Sequence, residues 1–224
     1  MNSKLNQTIV ARLLRGGFAL TRHNTKFTFL RHAHAVAADG GHDSDRRISS
    51  KGQKQCAAMK SVFETRSFNV TYRSPLIRVW DTLVALNIQS PEDTTIKELV
   101  IEYGQETRQS GVLDAAYEIM GSVGLADIMK HKEVATAMDE FAAHALAKLN
   151  LQIQDVSADR GQKFNVLVAG HGWLNPILAY YMAGTNETAR RHLLYHPMGE
   201  CEIIEVGITE DGSPIWNHIP CPAV

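Results

Sequence analysis

The chain has 224 residues, a usual length for one α/β domain with a substantial core. Hydrophobic residues make up 44% and charged residues 21%, which are ordinary globular values. The formal net charge of −1 argues against a nucleic-acid-binding surface, and no apolar run is long enough to span a bilayer. Three scattered cysteines without zinc-site spacing, Cys56, Cys201 and Cys221, predict a reducing compartment such as the cytoplasm.

The first 25 residues form a basic segment without carboxylates, since the first acidic residue of the chain is Asp39. Apolar residues between positions 9 and 18 recur at helical spacing. Residues 1–25 are therefore interpreted as an N-terminal helical segment that packs on the domain and is not cleaved. The alternative is an organellar targeting peptide, because such peptides are basic and amphipathic. Residues 26–224 are predicted to form the single domain.

The first half of the domain is predicted to alternate between strands and helices, in this order: strand 27–30, helix 50–64, strand 69–72, a helix after Ser74-Pro75, and strand 95–101. Helix 50–64 starts with capping-box spacing, and Pro75 follows a cap residue at the first helical position. We expect the second helix to turn its apolar side chains toward the core, namely Ile77, Trp80, Leu83 and Val84.

The second half predicts a helical stretch at about 105–150, a strongly apolar strand at 165–169, a helix that begins at Pro176, and a C-terminal hairpin. Strands that alternate with helices imply an α/β fold with a mainly parallel sheet covered on both faces. Ligands of such sheets lie at the carboxyl ends of the strands. Across the hairpin, Cys201 and Cys221 are expected to lie near each other as two buried thiols, and a disulfide between them is the alternative.

Basic side chains follow three of the predicted strands. Arg31-His32 ends the first strand, Arg78 lies in the first turn of the helix after the second, and His171 stands between two glycines after strand 165–169. Arginine binds two phosphate oxygens at once, and imidazole can carry a phosphoryl group covalently. A helix N-terminus also favours anions. The dipeptide alone is weak evidence, because Arg22-His23 repeats it nine residues earlier.

Taken in order, these segments resemble the histidine phosphatase superfamily, also called the phosphoglycerate mutase-like family. The resemblance covers roughly residues 27–184, and four motifs carry it: Leu30-Arg31-His32, residues 48–55 with Gly52, residues 74–82 with Arg78, and Gly170-His171-Gly172. It implies a three-layer α/β/α fold with a helical insertion and a C-terminal hairpin. The short phosphohistidine phosphatases are closest in motifs, but this chain is longer because of the insertion at about 105–150.

The resemblance implies that His32 attacks phosphorus while Arg31, Arg78 and His171 hold the phosphate oxygens. It favours Arg31-His32 over Arg22-His23, because the former ends an apolar strand. A carboxylic acid must protonate the leaving oxygen. Glu98 fits the family's Leu-x-Glu spacing and is preferred, Glu102 is its rival, and an aspartate of the 43–45 loop is the reserve. Arginines supply the positive charge, so no metal and no cofactor is expected.

The predicted activity is therefore that of a metal-independent phosphoric monoester hydrolase with a phosphohistidine intermediate on His32. The helical insertion could cap the pocket, which favours a phosphorylated small molecule as substrate. The alternatives are a phosphoprotein (phosphohistidine) phosphatase and a phosphate-binding module with an inactive site. Ala33 and His34 replace the residues commonest after the Arg-His pair, and the asparagine typical of mutases is missing. Mutase activity is therefore in doubt, and neither nucleic-acid nor membrane partners are expected.

Overall fold

The computed structural model describes residues 24–37, 41–89, 93–99, 124–130, 132–156, 163–183 and 186–224. Of the predicted N-terminal segment, residues 1–23 lie outside these ranges, so its packing on the domain stays a prediction. The same holds for the first part of the predicted insertion, residues 105–123.

One sheet of six strands organises the described part of the chain. Its strands are β1 (Thr25–Arg31), β2 (Val70–Arg73), β3 (Asp93–Thr95), β4 (Phe164–Gly170), β5 (Ile203–Ile208) and β6 (Pro214–Ile219). Their order across the sheet is β3-β2-β4-β1-β5-β6. The first four run parallel, whereas β5 is antiparallel to β1 and forms a hairpin with β6. This arrangement confirms the predicted α/β fold with a mainly parallel sheet and a C-terminal hairpin.

Helices cover both faces of the sheet. They are α1 (Ser50–Glu64), α2 (Ile77–Ala85), α3 (Leu125–Ile128), α4 (Lys132–Val156), α5 (Leu174–Met182) and α6 (Glu187–Tyr195). Two 3₁₀ turns, Asp43–Asp45 and Lys97–Leu99, complete the described elements. Apolar residues of α1 and α2 form one half of the core, and those of α4, α5 and α6 form the other half. No helix of the described residues is long and apolar enough to cross a membrane.

The central strands β1 and β4 contribute side chains to both halves of the core. Phe27 and Phe29 of β1 lie in the half with α4 and α5, while Leu30 lies in the half with α1 and α2. Strands that are buried on both faces read as nearly continuous apolar runs, which is why their positions were visible in the sequence. Their carboxyl ends, at Arg31 and Gly170, are thereby fixed side by side.

The prediction of a strand at 95–101 was wrong. β3 has only three residues, Asp93–Thr95, and the chain then forms the 3₁₀ turn Lys97–Leu99. The backbone N–H of Ile96 still donates to the Arg73 carbonyl at 2.8 Å, whereas that of Leu99 donates back to Ile96 at 3.2 Å. Both Ile96 and Leu99 are fully buried. The turn therefore buries two of the apolar residues that had suggested a longer strand, Ile96 and Leu99, whereas Val100 and Ile101 lie outside the described residues.

The second helix also differs from its prediction. It begins at Ile77 instead of Pro75, and Trp80 and Val84 are 44% and 59% exposed. Leu83 faces the core as predicted, and the other buried residues of the helix are Arg78, Val79 and Thr82, with Arg78 facing His32 at the end of β1. Outside, the ring of Trp80 lies under the guanidinium of Arg73, with 4.7 Å between Arg73 Cζ and the ring centroid.

Two further helices differ from what the sequence predicted. The helix predicted to begin at Pro176 begins two residues earlier, at Leu174. Helix α6 was not predicted, although Asn186 caps it by accepting a hydrogen bond from the Ala189 N–H.

All three cysteines are free thiols, and of the two at the hairpin only Cys201 is fully buried, whereas Cys221 is partly exposed.

Candidate active site

The candidate site lies where β1 and β4 end. Arg31 is in register with Gly170, and the backbone N–H of His32 donates to the Gly170 carbonyl at 3.0 Å. The ring centroids of His32 and His171 are 5.3 Å apart, so a single phosphate can contact both imidazoles. The shared strand-end position predicted from the sequence therefore does bring the two histidines together.

The imidazole of His32 is held with one nitrogen protonated and the other available. Its Nδ1 lies 2.8 Å from the Ala33 carbonyl oxygen, which can only accept, so Nδ1 carries the proton. The lone pair of Nε2 then accepts a hydrogen bond from Arg78 Nε at 3.3 Å. Burial lowers the pKa of His32 to about 3, and the charges of Arg78 and Arg31 add to the shift. His32 is thus a neutral base near pH 7 with Nε2 as its nucleophilic atom.

Arg78 connects His32 to the loop that follows it. Its Nη1 donates to the Asp43 carbonyl at 2.7 Å, and its Nη2 donates to Asp43 Oδ2 at 2.9 Å. Burial alone would raise the pKa of Asp43, but hydrogen bonds from Arg46 and Arg78 outweigh it and lower that pKa. Asp43, the reserve candidate for proton donor, therefore lies in the site as an ionised carboxylate, a state that opposes this role.

Arg31 lies against the turn that carries His171. A Cβ on Gly172 would lie 2.7 Å from both Cζ and Nε of Arg31, so only glycine permits this approach. Arg31 Nη1 donates to the Met198 carbonyl at 2.6 Å, while its Nε is buried without a hydrogen-bond partner among the described residues. Burial lowers the pKa of Arg31, but guanidinium stays charged at any working pH. A buried charged donor without a partner is a group that an anion would satisfy.

His171 is fixed by neutral partners. Its Nε2 lies 2.9 Å from Ser74 Oγ, and its carbonyl accepts from the Asn175 N–H at 3.0 Å. Asn175 Nδ2 in turn donates to the Leu30 carbonyl at 2.9 Å, which joins the His171 turn to β1. Burial, together with the nearby His32 and the arginines, holds the pKa of His171 well below its usual value. Both histidines are therefore uncharged before an anion binds.

The predicted proton donors are only partly located. The backbone of Glu98 belongs to the 3₁₀ turn that follows β3, at the same edge of the sheet as the other site residues. The side chain of Glu98 and the whole of Glu102 lie outside the described residues. The choice between them stays a prediction.

Two residues that complete the site were not predicted to have a role there. Ser74 was interpreted as a helix cap, yet its hydroxyl contacts His171. Thr82 Oγ1 accepts from the Ala33 N–H at 3.0 Å and donates to the Arg78 carbonyl at 2.7 Å, so it connects the residue after His32 to α2. Both belong to the segment 74–82 that carried the resemblance, which was the available signal.

His34, the next histidine along the chain, has a structural role. Its Nδ1 lies 2.7 Å from Ser49 Oγ at the start of α1. Among the described residues, no group of three or more histidine, cysteine or carboxylate side chains is arranged to hold a metal ion.

Comparisons with known proteins agree with this geometry. The model of the histidine phosphatase superfamily (branch 1) matches residues 27–217. A search of curated proteins finds no match. A candidate α-ribazole-5′-P phosphatase from Escherichia coli str. K-12 substr. MG1655 has a similar structure, with a TM-score of 0.57 and 14% identity over 88% of this chain and 96% of that chain.

Two further solved structures are similar. A phosphoserine phosphatase from Entamoeba histolytica has a TM-score of 0.55 and 15% identity, over 88% of this chain and 98% of its own. A candidate phosphohistidine phosphatase SixA from Nakamurella multipartitia has a TM-score of 0.52 and 18% identity, over 89% and 97%. At these identities the likeness is evidence for the fold alone.

Proposed function

The chain belongs to the histidine phosphatase superfamily, and we propose that it hydrolyses phosphate monoesters through a phosphohistidine intermediate on His32. The observation that carries the proposal is the unprotonated Nε2 of His32, which lies among cationic and polar groups that suit a phosphate. Three such groups, Arg31, Arg78 and His171, lie with His32 at the carboxyl ends of the strands, which is also the reason to prefer an active enzyme over a phosphate-binding module.

In the first step, Nε2 of His32 attacks phosphorus as the bond from phosphorus to the leaving oxygen breaks. Arg31 and Arg78 hold the equatorial oxygens, because guanidinium forms strong charge-assisted bonds to phosphate. Arg78 is already positioned by Asp43, and the unpaired Nε of Arg31 gains an acceptor when phosphate binds. These fixed donors stabilise the developing charge, which is the main contribution to phosphoryl transfer.

His171 supplies a third contact to the phosphate. Its Nε2 is engaged with Ser74, so Nδ1 is the ring nitrogen that we assign to a phosphate oxygen. The hydroxyl of Ser74 already accepts from the Leu76 N–H at 3.4 Å, so its own proton is free to be donated to Nε2. In that arrangement Nδ1 of His171 carries the proton and acts as the donor.

The leaving oxygen takes a proton from a carboxylic acid, for which we propose Glu98. In the second step, the same group as carboxylate removes a proton from water while that water attacks the phosphohistidine. The bond from phosphorus to Nε2 breaks, inorganic phosphate leaves, and His32 returns to its neutral form. The products are one alcohol and one phosphate for each ester and water consumed.

Hydrolysis of a generic aryl phosphate tests the proposed activity. We expect turnover by the wild-type protein and a loss of about four orders of magnitude or more in His32→Ala, since this variant lacks the nucleophile. His34→Gln is the matched control, because His34 lies two residues away and contacts Ser49 instead of the site. Absence of turnover in the wild type, or equal loss in both variants, would contradict the proposal.

We further propose that the substrate is a phosphorylated small molecule. Helix α4 belongs to the insertion, contributes apolar residues to the core, and packs against the turn Lys97–Leu99 that follows β3. We expect an insertion beside this turn to restrict access by a protein surface. A panel of phosphorylated metabolites, compared with phosphohistidine peptides by kcat/KM, tests this choice. Higher kcat/KM for the peptides would favour the alternative, a phosphoprotein phosphatase.

A further inference from the structure

The turn formed by residues 198–202, between α6 and β5, contacts both residues of the Arg31-His32 pair. The Met198 carbonyl accepts from Arg31 Nη1 at 2.6 Å, and the Glu202 carbonyl accepts from the Arg31 N–H at 3.1 Å. The Cys201 N–H donates to the His32 carbonyl at 3.3 Å. The position of the guanidinium and of the nucleophile's backbone therefore depends on the conformation of this turn.

The turn has a conformation that does not form readily by itself. Cys201 has a φ of 60°, in the left-handed region that is unfavourable for residues with a Cβ. At Gly199, an added Cβ would lie 2.6 Å from Glu202 Oε1, so the backbone and the carboxylate are in direct contact. Such a conformation persists only where surrounding contacts hold it in place.

The carboxylate of Glu202 supplies those contacts. Its Oε2 accepts from the Gly199 N–H at 2.7 Å and from His218 Nε2 at 2.9 Å. Because a carboxylate only accepts, His218 Nε2 carries a proton. With His218 neutral, its Nδ1 accepts from His192 Nε2, which lies 2.8 Å away. His218 of β6 thus orients the Glu202 carboxylate, and His192 of α6 orients His218.

We propose that Glu202, oriented by His218, is a positioning residue for the phosphate site. Its carboxylate closes the turn from Gly199 to Glu202, and the closed turn holds Arg31 against the His171 segment and fixes the carbonyl of His32. Among the described hydrogen bonds, the carboxylate of Glu202 contacts none of Arg31, His32, Arg78 and His171. It therefore acts through the turn and through its charge, which raises the pKa of Arg31. This inference rests on the proposed function, in which Arg31 and His32 bind and attack the phosphoryl group.

Glu205 of β5, three residues after Glu202, provides the matched control. It is also a buried carboxylate with cationic partners, Lys26 at 3.0 Å and Arg66 at 3.3 Å. Neither partner contacts the turn or the site histidines among the described hydrogen bonds. Loss of this carboxylate should therefore lower stability without changing how phosphate is bound.

The test measures binding of inorganic phosphate by calorimetry, together with kcat, KM and the melting temperature. We expect Glu202→Ala to weaken phosphate binding about tenfold, and Glu202→Gln and His218→Gln about threefold. Glu202→Gln replaces a charged acceptor with a neutral one, and His218→Gln removes the imidazole that donates to Oε2. Glu205→Gln should keep the wild-type phosphate affinity at a lowered melting temperature. If Glu202 had only a structural role, the Glu202 variants would also have a lowered melting temperature and an unchanged phosphate affinity.

Phosphate affinity within twofold of the wild type in Glu202→Gln and His218→Gln would overturn the inference, as would equal weakening in Glu205→Gln. Glu202→Gln and His218→Gln keep the proposal testable even if Glu202→Ala does not fold. A wild-type protein that binds no phosphate would instead contradict the proposed function. A wild type that binds and hydrolyses, beside variants without an effect, would contradict only the positioning role.

Discussion

Two groups of partly buried basic side chains lie at opposite ends of β1. At one end, Lys26 and Arg66 both form ion pairs with the carboxylate of Glu205. At the other end, Arg31 makes no ion pair among the described residues, and its Nε is buried without a partner. The start of β1 therefore has a paired cluster, formed by Lys26, Arg66 and Glu205. Its end has an incomplete cluster, in which Arg31 has no ion-pair partner among the described residues.

The difference shows which cluster serves the fold and which serves a ligand. Burying a charge costs free energy unless the charge is paired, so a buried cation without a partner is retained only where something else uses it. Arg31 is also next to a histidine whose pKa is lowered to about 3 and near a second one that is neutral. The carboxylates of Glu200 and Glu202 raise the pKa of Arg31, but neither forms an ion pair with it among the described residues. A bound phosphate would supply that ion pair.

The largest expected effect on turnover concerns the proton donor, for which we propose Glu98 beside the incomplete cluster. A carboxylate beside a phosphate dianion repels it, so the acid must lie at the edge and be protonated when the leaving group departs. Glu98→Gln should therefore lower turnover of an alkyl phosphate by about two to four orders of magnitude. An aryl phosphate, whose leaving group barely needs a proton, should be affected less in the first step.

Steady-state kinetics of Glu98→Gln and Glu102→Gln on the same alkyl phosphate make this measurement. If only Glu102→Gln loses turnover, Glu102 is the acid and the spacing argument for Glu98 is wrong. If neither does, Asp43 and Asp45 are the next variants to measure.

The second prediction exchanges one cation of each cluster for methionine. Arg31→Met should weaken inhibition by inorganic phosphate or vanadate by about ten- to a hundredfold, because it removes a charge-assisted ligand, and it should not lower stability. Lys26→Met should lower the free energy of unfolding by about 1 kcal/mol and leave inhibition unchanged. Inhibition constants and denaturant unfolding of both proteins check this. The comparison fails if the two variants change the same quantity.

The third prediction concerns pH. Unfolded His32 binds a proton below its usual pKa of 6.5, whereas the folded residue stays neutral down to about 3. The unfolded state therefore binds more protons in this window, and the free energy of unfolding falls as the pH is lowered through it, by at most about 1.4 kcal/mol per unit. Above pH 6.5 this contribution to the pH dependence vanishes.

Denaturant unfolding of the wild type and His32→Asn at several pH values between 4 and 7 provides the check. The free energy of unfolding of His32→Asn should fall less steeply as the pH is lowered, since this variant lacks one of the histidines with a lowered pKa. Equal slopes in the two proteins would show that His32 titrates normally in the folded state.

The smallest predicted effect concerns the neutral partner of His171. Ser74→Ala removes the hydroxyl that lies 2.9 Å from His171 Nε2 and leaves the charges of the site unchanged. A single neutral hydrogen bond contributes about 0.5–1.5 kcal/mol, so kcat/KM should fall by no more than about tenfold. A loss as large as that of Glu98→Gln would mean that Ser74 takes part in the chemistry.

The strand-end positions of Arg31-His32 and His171 could be predicted because β1 and β4 are apolar on both faces. Parallel strands end at one edge, so the two histidines had to be neighbours if both strands joined one sheet. The inward orientation of Arg78 was harder to predict, because a hydrophobic pattern favours Trp80 in the core over a buried cation.

Other features depend on contacts between segments that are distant in sequence. The turn at residues 198–202 adopts a left-handed φ at Cys201, a residue type that gives no signal for such a conformation. Likewise, nothing in the sequence near Asp43 indicates that its carboxylate meets Arg78, which lies 35 positions later. Local patterns predict elements, whereas these contacts exist only once the sheet has formed.

Capture of the intermediate tests the central claim most directly. The protein is mixed with a phosphate monoester, quenched in alkali during turnover, since phosphohistidine survives alkali but not acid, and digested for mass spectrometry. We predict one phosphoryl group on the peptide that contains Arg31-His32, located on His32 and absent from His32→Ala. A phosphoryl group on His171 or His34, or turnover without any covalent phosphate on the protein, would contradict the account.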